Sequence, residues 1–306
     1  MALFRDIFEF FCVLLQVSIL WPWEIIKSFL PKNRKDISND IMFITGAGSG
    51  IGRLMAIKFA NCGATIIATD LNGATAQETA DIIKSSGGKA YSFQLDVTDR
   101  KKVYSIAEKI RETIGEVTML VNNAGIVTGH NFMECPDDLI AKTIEVNTTA
   151  HFWTLKAFLG SMIKNNRGHV ISIASIAGYG ASPQLIDYCA SKFGAVGLQE
   201  ALGLELQGYA KGIKTSTVCP WFIKTGMFEG AKSSLPFLCP MLEPEPTADR
   251  IVAGVLNDET HIFIPRRLFL LVALKQLIPA NVGYILSDYL QMEAQMTGFV
   301  GRKKST

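Results

Sequence analysis

The sequence predicts an α/β fold in which one parallel sheet carries helices on both of its faces. Short apolar runs typical of buried strands alternate along the chain with longer helical patterns, and parallel strands need such helical crossovers. A glycine-rich turn also joins the first predicted strand directly to a helix. No repeat, low-complexity stretch or linker marks a further domain, so we predict one compact domain over residues 36–306.

The individual elements follow from hydrophobic periodicity and from the residues that break it. The first strand is predicted at residues 40–45, followed by the turn at 46–52 and a helical pattern at 53–60. Further strands are predicted at residues 64–69, 90–97, 117–122, 169–174, 213–219 and 261–265. Further helices are predicted at residues 99–114, 138–164 and 188–209. This order is that of a doubly wound parallel sheet.

The glycine turn is a predicted anion site. Free backbone N–H groups and the dipole of the following helix both favour a negative charge, such as the pyrophosphate of a dinucleotide. Gly46 permits the tight turn, and Gly50 and Gly52 let the ligand and the strand approach closely. A plain glycine-rich loop is the alternative, but the flanking strand and helix favour the binding turn. The predicted contacts are Gly46, Ser49, Gly50, Ile51 and Gly52.

The end of the second predicted strand indicates which dinucleotide is bound. Asp70 lies there, and a carboxylate at this position accepts hydrogen bonds from the ribose of NAD and repels the extra phosphate of NADP. Arg53, just after the last glycine, is the one nearby residue that favours NADP. Because Asp70 lies at the strand tip and Arg53 on the helix, we expect NAD as the cofactor, with NADP as the less favoured alternative.

Tyr188 and Lys192 have the spacing of a catalytic pair. Residues four apart share one face of a helix, so the phenol and the ammonium are expected to lie together. A phenol with its ordinary pKa of about 10 is a poor base near neutrality, and a nearby cation lowers that pKa. Ser175, in a turn upstream, is placed to hold a substrate oxygen. Such pairs also occur by chance on solvated helices, but the glycine turn and Asp70 favour alcohol or carbonyl redox chemistry.

These motifs, in this order, resemble those of the short-chain dehydrogenase/reductase family over residues 38–265. The resemblance implies a single Rossmann-type domain and a catalytic tetrad of Asn147, Ser175, Tyr188 and Lys192, in which Asn147 anchors a proton-relay water. Trp221 replaces a glycine that is common in the family, which leaves the geometry of that loop open. The resemblance adds these cofactor contacts: Asp96 and Val97 at the adenine, Asn123, Ala124 and Gly125 after the fourth strand, Pro220, Ile223 and Thr225 at the nicotinamide, and Tyr188 and Lys192, the latter at the nicotinamide ribose.

Apolar residues are concentrated at the two ends of the chain, and the mean hydropathy of +0.23 is high for a soluble enzyme. Residues 10–23 carry no charge, and Trp21 and Trp23 suit a membrane interface. We therefore predict a hydrophobic membrane-anchor helix with a basic flank in residues 1–35. The uncharged core is short for a spanning helix, so an in-plane anchor is equally compatible. A cleaved signal peptide and a soluble amphipathic helix are the alternatives.

The carboxyl-terminal part of the chain is also apolar. The resemblance to the family implies that residues 222–246 form a lid over the site, and the apolar side chains of this region predict a large apolar substrate. Residues 266–290 are expected to dip into lipid, to cover the sheet edge or to belong to the lid, and the sequence does not separate these roles. Lys303 and Lys304 resemble a dilysine signal for return to the endoplasmic reticulum, with a solvated basic tail as the alternative.

Charge, cysteine and histidine content argue against other classes of protein. The formal net charge of +2 is too small to suggest a nucleic-acid partner. The six cysteines show neither metal-ligand spacing nor a compact disulfide pattern, which favours a reducing, cytosol-facing catalytic domain. The four histidines are scattered, so we predict no metal site.

Nearly the whole chain resembles a membrane-associated branch of the family, which contains epidermal retinol dehydrogenases and lipid-droplet 17β-hydroxysteroid dehydrogenases. Residues 123–129 and 222–230 most resemble the retinol-oxidising members. The resemblance implies oxidation of all-trans-retinol to retinal with NAD, at the endoplasmic reticulum membrane or the lipid droplet, and we expect a homodimer. A steroid or other lipid alcohol is the alternative substrate. A non-catalytic lipid-droplet scaffold is a more distant alternative, which the intact tetrad disfavours.

Overall fold

The computed structural model describes residues 2–29, 34–233, 239–275 and 277–301. Three predicted features lie wholly or partly outside the described residues: Lys32 of the basic flank, residues 234–238 of the lid, and the tail with Lys303 and Lys304. Between Arg34 and Lys35 the chain divides into two compact units.

The amino-terminal unit consists of one helix, α1 (Ala2–Phe29), with Pro22 inside it. The helix contains the uncharged residues 10–23, and large apolar side chains are exposed along it, among them Phe4, Leu15 and Trp21. Within the described parts of the chain, no helix has both the length and the apolar character that crossing a membrane requires. The predicted amino-terminal helix is thus present.

The second unit is built on a seven-stranded sheet whose neighbouring strands are all parallel. The strands are β1 (Ile41–Thr45), β2 (Thr65–Asp70), β3 (Ala90–Gln94), β4 (Met119–Asn122), β5 (Gly168–Ile173), β6 (Ile213–Pro220) and β7 (His261–Ile264). Their order is β3-β2-β1-β4-β5-β6-β7. The chain reverses its direction of winding between β1 and β4, and ligands of such sheets bind at the carboxyl ends of the strands at that point.

Helices cover both faces of the sheet, which confirms the predicted doubly wound architecture. Side chains of β1 show why its apolar run is continuous, because Met42 and Ile44 enter one core while Phe43 enters the other. The first core also receives α2, α3 and α8, and the second receives α4, α6 and α7. The helices of this unit are α2 (Gly50–Asn61), α3 (Gly73–Ser85), α4 (Arg100–Thr113), α5 (Asp137–Ile144), α6 (Ala150–Lys164), α7 (Ile186–Tyr209), α8 (Pro244–Leu256), α9 (Leu268–Lys275) and α10 (Ala280–Tyr289).

Three elements differ from the sequence prediction. Helices α3 and α8 were not singled out by the sequence analysis. The single helix expected at residues 138–164 is divided by a π-helical turn, Glu145–Thr149, into α5 and α6. A π-helical turn holds an extra residue and is frequent at functional sites, and this one contains Asn147.

Residues 266–290, for which three roles were open, form α9 and α10. Leu268 is almost fully buried, and the ring of Phe269 lies 5.8 Å from that of Phe263 on the edge strand β7. The start of α9 therefore covers the edge of the sheet. Farther along, Leu277, Tyr284 and Ile285 are exposed.

Candidate active site

A cavity of about 350 Å³ lies at the carboxyl ends of the central strands. Its walls come from residues that directly follow or end β1, β2, β4, β5 and β6, as the fold predicts. It brings most of the predicted site residues together. These are Gly46, Ser49, Gly50, Ile51, Gly52, Asp70, Asn123, Ala124, Gly125, Ser175, Tyr188, Lys192, Pro220, Ile223 and Thr225.

The glycine turn is closed against the loop that follows β4. Gly46 and Gly50 have φ values of +64° and +54°, which favour glycine. A Cβ atom on Gly52 would lie 2.1 Å from the carbonyl oxygen of Gly46 and 2.5 Å from the Asn123 Nδ2 atom. That amide donates to the carbonyl oxygens of Thr45 at 2.8 Å and Gly46 at 3.0 Å. Only glycine fits this contact, and helix α2 begins at Gly50 with its amino end at the cavity.

Asp70 and Arg53 differ in how their charges are engaged. Asp70 accepts hydrogen bonds from the backbone N–H groups of Gly48 at 2.9 Å and Asn72 at 3.0 Å. Arg53 forms a two-pronged ion pair with Glu78, with Nη1–Oε1 and Nη2–Oε2 distances of 3.1 and 2.7 Å. The guanidinium charge is therefore already balanced by a carboxylate, whereas Asp70 contributes a carboxylate to the cavity wall.

Tyr188 and Lys192 lie one turn apart on α7, and both are almost fully buried. The Lys192 Nζ atom is 5.6 Å from the centroid of the Tyr188 ring and donates a hydrogen bond to the Ile173 carbonyl oxygen at 2.8 Å. Ser175 follows β5, and its Oγ atom accepts a hydrogen bond from the Ala177 N–H at 3.1 Å. Its hydroxyl also lies close enough to Tyr188 to lower the pKa of that phenol in part. The serine, the phenol and the ammonium thus meet at one wall of the cavity, where a substrate hydroxyl can reach all three.

Burial sets the ionisation of this pair. Burial lowers the pKa of Lys192 to about 8, and the smaller effect of Cys219, which raises this pKa, does not offset it. Burial also raises the pKa of Tyr188, which the hydrogen bond with Ser175 offsets only in part. The direction for Tyr188 is opposite to the lowering expected from the sequence. The reason is that desolvation of the buried phenol is the largest effect, while the Lys192 ammonium is not among the groups that shift the phenol and donates its hydrogen bond to the Ile173 carbonyl oxygen.

Asn147 does not line the cavity but holds its wall in place. The side chain is fully buried in the π-helical turn. Its Oδ1 atom accepts from the Ile126 N–H at 2.8 Å, and its Nδ2 atom donates to the Ile126 carbonyl at 2.9 Å and to the Ser191 Oγ atom at 2.9 Å. The amide therefore ties the loop after β4 to helix α7, on which Tyr188 and Lys192 lie.

Asp96 and Val97 also lie outside the cavity lining. The Asp96 Oδ1 atom accepts hydrogen bonds from the backbone N–H and the hydroxyl of Thr98, at 2.9 and 2.7 Å. Its Oδ2 atom is 3.7 Å from the Lys142 Nζ atom. Val97 is buried in the core. A contact of these two residues with the adenine stays a prediction.

The wall beyond Tyr188 is aromatic. The Phe228 ring stands edge-on to that of Tyr188, with centroids 5.9 Å apart, and the Phe222 ring lies 5.0 Å from that of Phe228. Trp221, at the position where the family resemblance led us to expect a glycine, donates its backbone N–H to the Ile264 carbonyl at 2.9 Å. Its position is thus fixed by the edge strand β7, and a bridge between Ile223 and Leu242 fixes the following residues.

The sequence analysis missed the carboxyl-terminal strap, which we define as residues 291–301. Met292 and Gln295 of the strap line the cavity, and Met296 and Phe299 pack in one cluster with Tyr188 and Phe228. Backbone hydrogen bonds join the strap to the lid. They run from Lys232 N to Gln295 O at 2.9 Å and from Val300 N to Glu229 O at 2.9 Å. No motif marks these residues, but the i, i+4 spacing of Met292 and Met296 is a signal for an apolar face.

The cavity therefore has two sides, which we name for what each can bind. The cofactor side consists of the glycine turn, Asp70 and the loop after β4. The substrate side consists of the apolar lid and the strap. Ser175, Tyr188 and Lys192 lie where the sides meet. This fold and site define a dinucleotide-dependent oxidoreductase.

Comparison with known proteins agrees with that class. A family model described as short chain dehydrogenase matches residues 40–235. The chain belongs to the short-chain dehydrogenase family and is an oxidoreductase of that family. It is 43% identical to mouse epidermal retinol dehydrogenase 2 over 279 residues, which cover 90% of each chain. It is 40% identical to mouse estradiol 17-beta-dehydrogenase 11 over 283 residues, which cover 92% of this chain and 94% of the relative.

Solved structures share the fold. A metagenomic short-chain oxidoreductase in complex with NADP is 27% identical, with a TM-score of 0.64, covering 75% of this chain and 98% of its own. A short chain dehydrogenase/reductase from Burkholderia phymatum in complex with NAD is 24% identical, with a TM-score of 0.72, covering 79% of this chain and 94% of its own. Both cofactors thus occur in structures with this fold.

Proposed function

We propose that the protein oxidises the hydroxyl group of a large apolar alcohol with NAD, and that all-trans-retinol is the first candidate substrate. The observation that carries this proposal is the position of Ser175, Tyr188 and Lys192 between a glycine-rich, carboxylate-ended side and an aromatic side of one cavity. The first side suits a dinucleotide, and the second suits an apolar molecule.

The chemistry follows from the residues at the meeting point. Ser175 holds the substrate oxygen, and Tyr188 takes the hydroxyl proton as the carbon loses hydride. Lys192 provides positive charge 5.6 Å from the centroid of the phenol ring, and a nearby cation favours the phenolate that accepts the proton. Asn147 positions α7 and the loop after β4 around these groups. NAD, when bound, supplies the hydride acceptor.

The preference for NAD is supported by the two charges near the glycine turn. Asp70 presents a carboxylate at the cavity wall, where a ribose with free hydroxyls is favoured and a ribose phosphate is repelled. Arg53, the residue that could favour NADP, is paired with Glu78.

Two substrate classes have support. Retinol is supported by the 43% identity to an epidermal retinol dehydrogenase and by the aromatic wall of Phe222 and Phe228. A steroid alcohol is supported by the 40% identity to an estradiol 17-beta-dehydrogenase. It is also supported by a polar group on the substrate side, the amide of Gln295, which a purely hydrocarbon tail would leave unpaired.

We also propose that the protein works at a lipid surface, either the endoplasmic reticulum membrane or a lipid droplet, with its catalytic domain in the cytosol. Exposed apolar side chains in each unit support this, namely Phe8 and Trp21 on α1, and Leu277 and Ile285 near the other end. The six cysteines are all free, as a reducing compartment requires.

We further propose that the protein forms a homodimer through α6 and α7. The exposed Phe152 on α6 and Leu204 on α7 support this.

A substrate and cofactor panel tests the proposal. The full chain in a membrane preparation is assayed with retinol, oestradiol and a long fatty alcohol, each with NAD and with NADP. We expect retinal formation with NAD to exceed that with NADP. In Tyr188→Phe we expect kcat to fall by about 10²–10⁴-fold while NAD still binds. Absence of turnover of every alcohol, or undiminished turnover by Tyr188→Phe, would contradict the proposal.

A further inference from the structure

Gln295 is a buried polar side chain whose amide is turned into the cavity. Only 5% of the residue is exposed, and it lines the cavity wall. Among the described residues, no group is hydrogen-bonded to its side-chain amide. Gln199 offers a contrast, because its buried amide donates to the Val170 carbonyl at 2.8 Å and the Ser216 carbonyl at 3.3 Å. The Gln199 Nε2 atom is thus held by the backbone, although its Oε1 atom is buried without a partner. Gln295 differs in that it lines the cavity and neither its amide nitrogen nor its amide oxygen has a partner among the described residues.

The strap fixes Gln295 by its backbone and leaves the side chain available. The Gln295 carbonyl oxygen accepts from the Lys232 N–H at 2.9 Å, and the adjacent Met296 is packed with Tyr188, Ala177 and Leu185. This places Gln295 on the substrate side rather than beside the glycine turn. Around it the substrate side is apolar, with Phe222, Phe228 and Met292 in the wall.

An unpaired amide in an apolar pocket is costly unless a ligand satisfies it. Leaving a buried polar group without a partner costs about 1–3 kcal/mol. A hydrocarbon tail pressed against Gln295 would incur that cost, while a hydroxyl or carbonyl oxygen would remove it. The amide can donate to a carbonyl and can both donate to and accept from a hydroxyl.

We propose that Gln295 is a specificity-determining residue that binds a second oxygen of the substrate, distinct from the one that is oxidised. Resting on the proposed function, this inference predicts that an apolar alcohol with a further hydroxyl or carbonyl group is a better substrate than the same alcohol without it. Two sources share that chemistry, a steroid diol and a retinol oxidised on its ring. The reacting hydroxyl is held by Ser175 and Tyr188, so the two oxygens are bound by different segments of the chain.

Matched substrate pairs test this inference. The steroid pair is oestradiol and its analogue without the 3-hydroxyl group, and the retinoid pair is 4-oxoretinol and retinol. In the wild type we expect kcat/KM for the oxygenated member of at least one pair to exceed that of its partner by about 10- to 100-fold. In Gln295→Met, which keeps the length of the side chain but removes the amide, we expect that ratio to fall to within about twofold of one. The pair in which the oxygenated member is preferred shows whether the second oxygen belongs to a steroid or to a retinoid.

Gln207→Met is the control, because it makes the same substitution at an exposed position of α7 that does not line the cavity. It should leave the wild-type ratio intact. An unchanged ratio in Gln295→Met, or a wild type without a preference in either pair, would overturn the inference. An equal fall of kcat for both members in Gln295→Met would overturn it too, because the amide would then act on the reacting oxygen.

Binding separates this inference from the proposed function. The affinity of each pair for the NAD-loaded protein can be followed by fluorescence, since Trp221 lines the cavity. If no alcohol is oxidised, the proposed function fails, but an oxygen preference in binding that Gln295→Met removes would still support the inference. Thermal unfolding checks that Gln295→Met is folded, and Gln295→Leu provides a second variant if it is not. The backbone bond to Lys232 is independent of either side chain.

Discussion

The two sides of the cavity are built in different ways. On the cofactor side, contacts come from short motifs directly after β1, β2 and β4, and backbone hydrogen bonds satisfy their polar groups. The Asn123 amide, for instance, closes the glycine turn through the carbonyls of Thr45 and Gly46. On the substrate side, the lid and the strap are separate segments that meet through backbone bonds such as Val300 N to Glu229 O.

This difference indicates how each side can vary. The cofactor side tolerates little change, because its geometry depends on glycines whose neighbours are backbone atoms. The substrate side is an apolar surface, and Gly129 beside it is opposed by a side chain that can shift, the ring of Phe299. We therefore expect substitutions on the cofactor side to abolish binding of the dinucleotide. Substitutions on the substrate side should change the affinity for the alcohol without abolishing it.

The largest effect is expected for Gly52→Ala. The new methyl group would lie 2.1 Å from the Gly46 carbonyl oxygen, so the turn that receives the pyrophosphate must open. We expect the Kd for NAD to rise by at least about 100-fold, measured by calorimetry. Gly160→Ala is the control, since a Cβ atom there meets no other atom within 4 Å. Gly52→Ala with NAD affinity within about threefold of the wild type would show that the turn is not rigid.

The next effect concerns Lys192, where the two sides meet. Burial lowers its pKa from the ordinary 10.5 to about 8, so between these pH values the unfolded chain holds a proton that the folded chain has lost. The free energy of unfolding of the wild type therefore rises with pH in this window, by up to about 3 kcal/mol. Lys192→Met lacks this contribution, so its stability relative to the wild type should fall from pH 8 to 10.5.

Urea unfolding of both proteins from pH 7 to 10.5 measures this difference. Other titrating groups are common to the two chains and cancel in the comparison. Lys156→Met, on the exposed face of α6, is the matched control for the loss of a lysine. A stability difference between the wild type and Lys192→Met that does not change with pH would contradict the assigned cause.

A smaller effect is expected for Asp70→Asn, which tests the cofactor preference. Removing the carboxylate weakens the ribose hydrogen bonds and the repulsion of a phosphate, so the ratio of kcat/KM with NAD to that with NADP should fall by about 10- to 100-fold. Glu78→Gln is a complementary variant, because it removes the charged partner of Arg53 and should favour NADP without loss of NAD. An unchanged ratio in Asp70→Asn would place the preference elsewhere.

The contrast between the sides also explains what could be predicted from the sequence. The strands, the glycine turn and the Tyr188–Lys192 spacing are local patterns, and hydrophobic periodicity predicted all seven strands to within a few residues. The π-helical turn at Asn147 could not be predicted, because its residues have an ordinary helical pattern and its shape depends on the loop after β4 and on Ser191. The pKa of Tyr188 could not either, since it depends on burial in the tertiary structure.

The strap is the clearest case of this kind. Its role comes from contacts with residues far earlier in the chain, such as that between Gln295 and Lys232. No spacing within residues 291–301 indicates such a partner. The sequence analysis placed the apolar segment at residues 266–290, whereas the residues that reach the cavity are Met292 and Gln295. Long-range packing therefore decides the part of the site that selects the substrate.

The smallest effect is expected for Gly129→Ala, the counterpart of Gly52→Ala on the substrate side. Gly129 has a φ of +70°, and a methyl group there would lie 2.1 Å from the Phe299 ring of the strap. The backbone conformation costs an alanine about 1 kcal/mol, and the ring must move. Because Phe299 is a side chain that can yield, we expect the KM for an apolar alcohol to rise only about fivefold, with NAD affinity within twofold of the wild type.

Steady-state kinetics together with NAD calorimetry measure both quantities on one preparation. Gly283→Ala, on α10, is the control, because among the described residues no atom other than the backbone of its own helix and its chain neighbours lies within 4 Å of the added methyl group. Equal losses of substrate and NAD affinity in Gly129→Ala would mean that a displacement of the strap also changes the geometry of the glycine turn. A rise in KM alone would mean that the strap can be altered for new substrates while the cofactor side stays intact, because the two sides share only the residues at their meeting point.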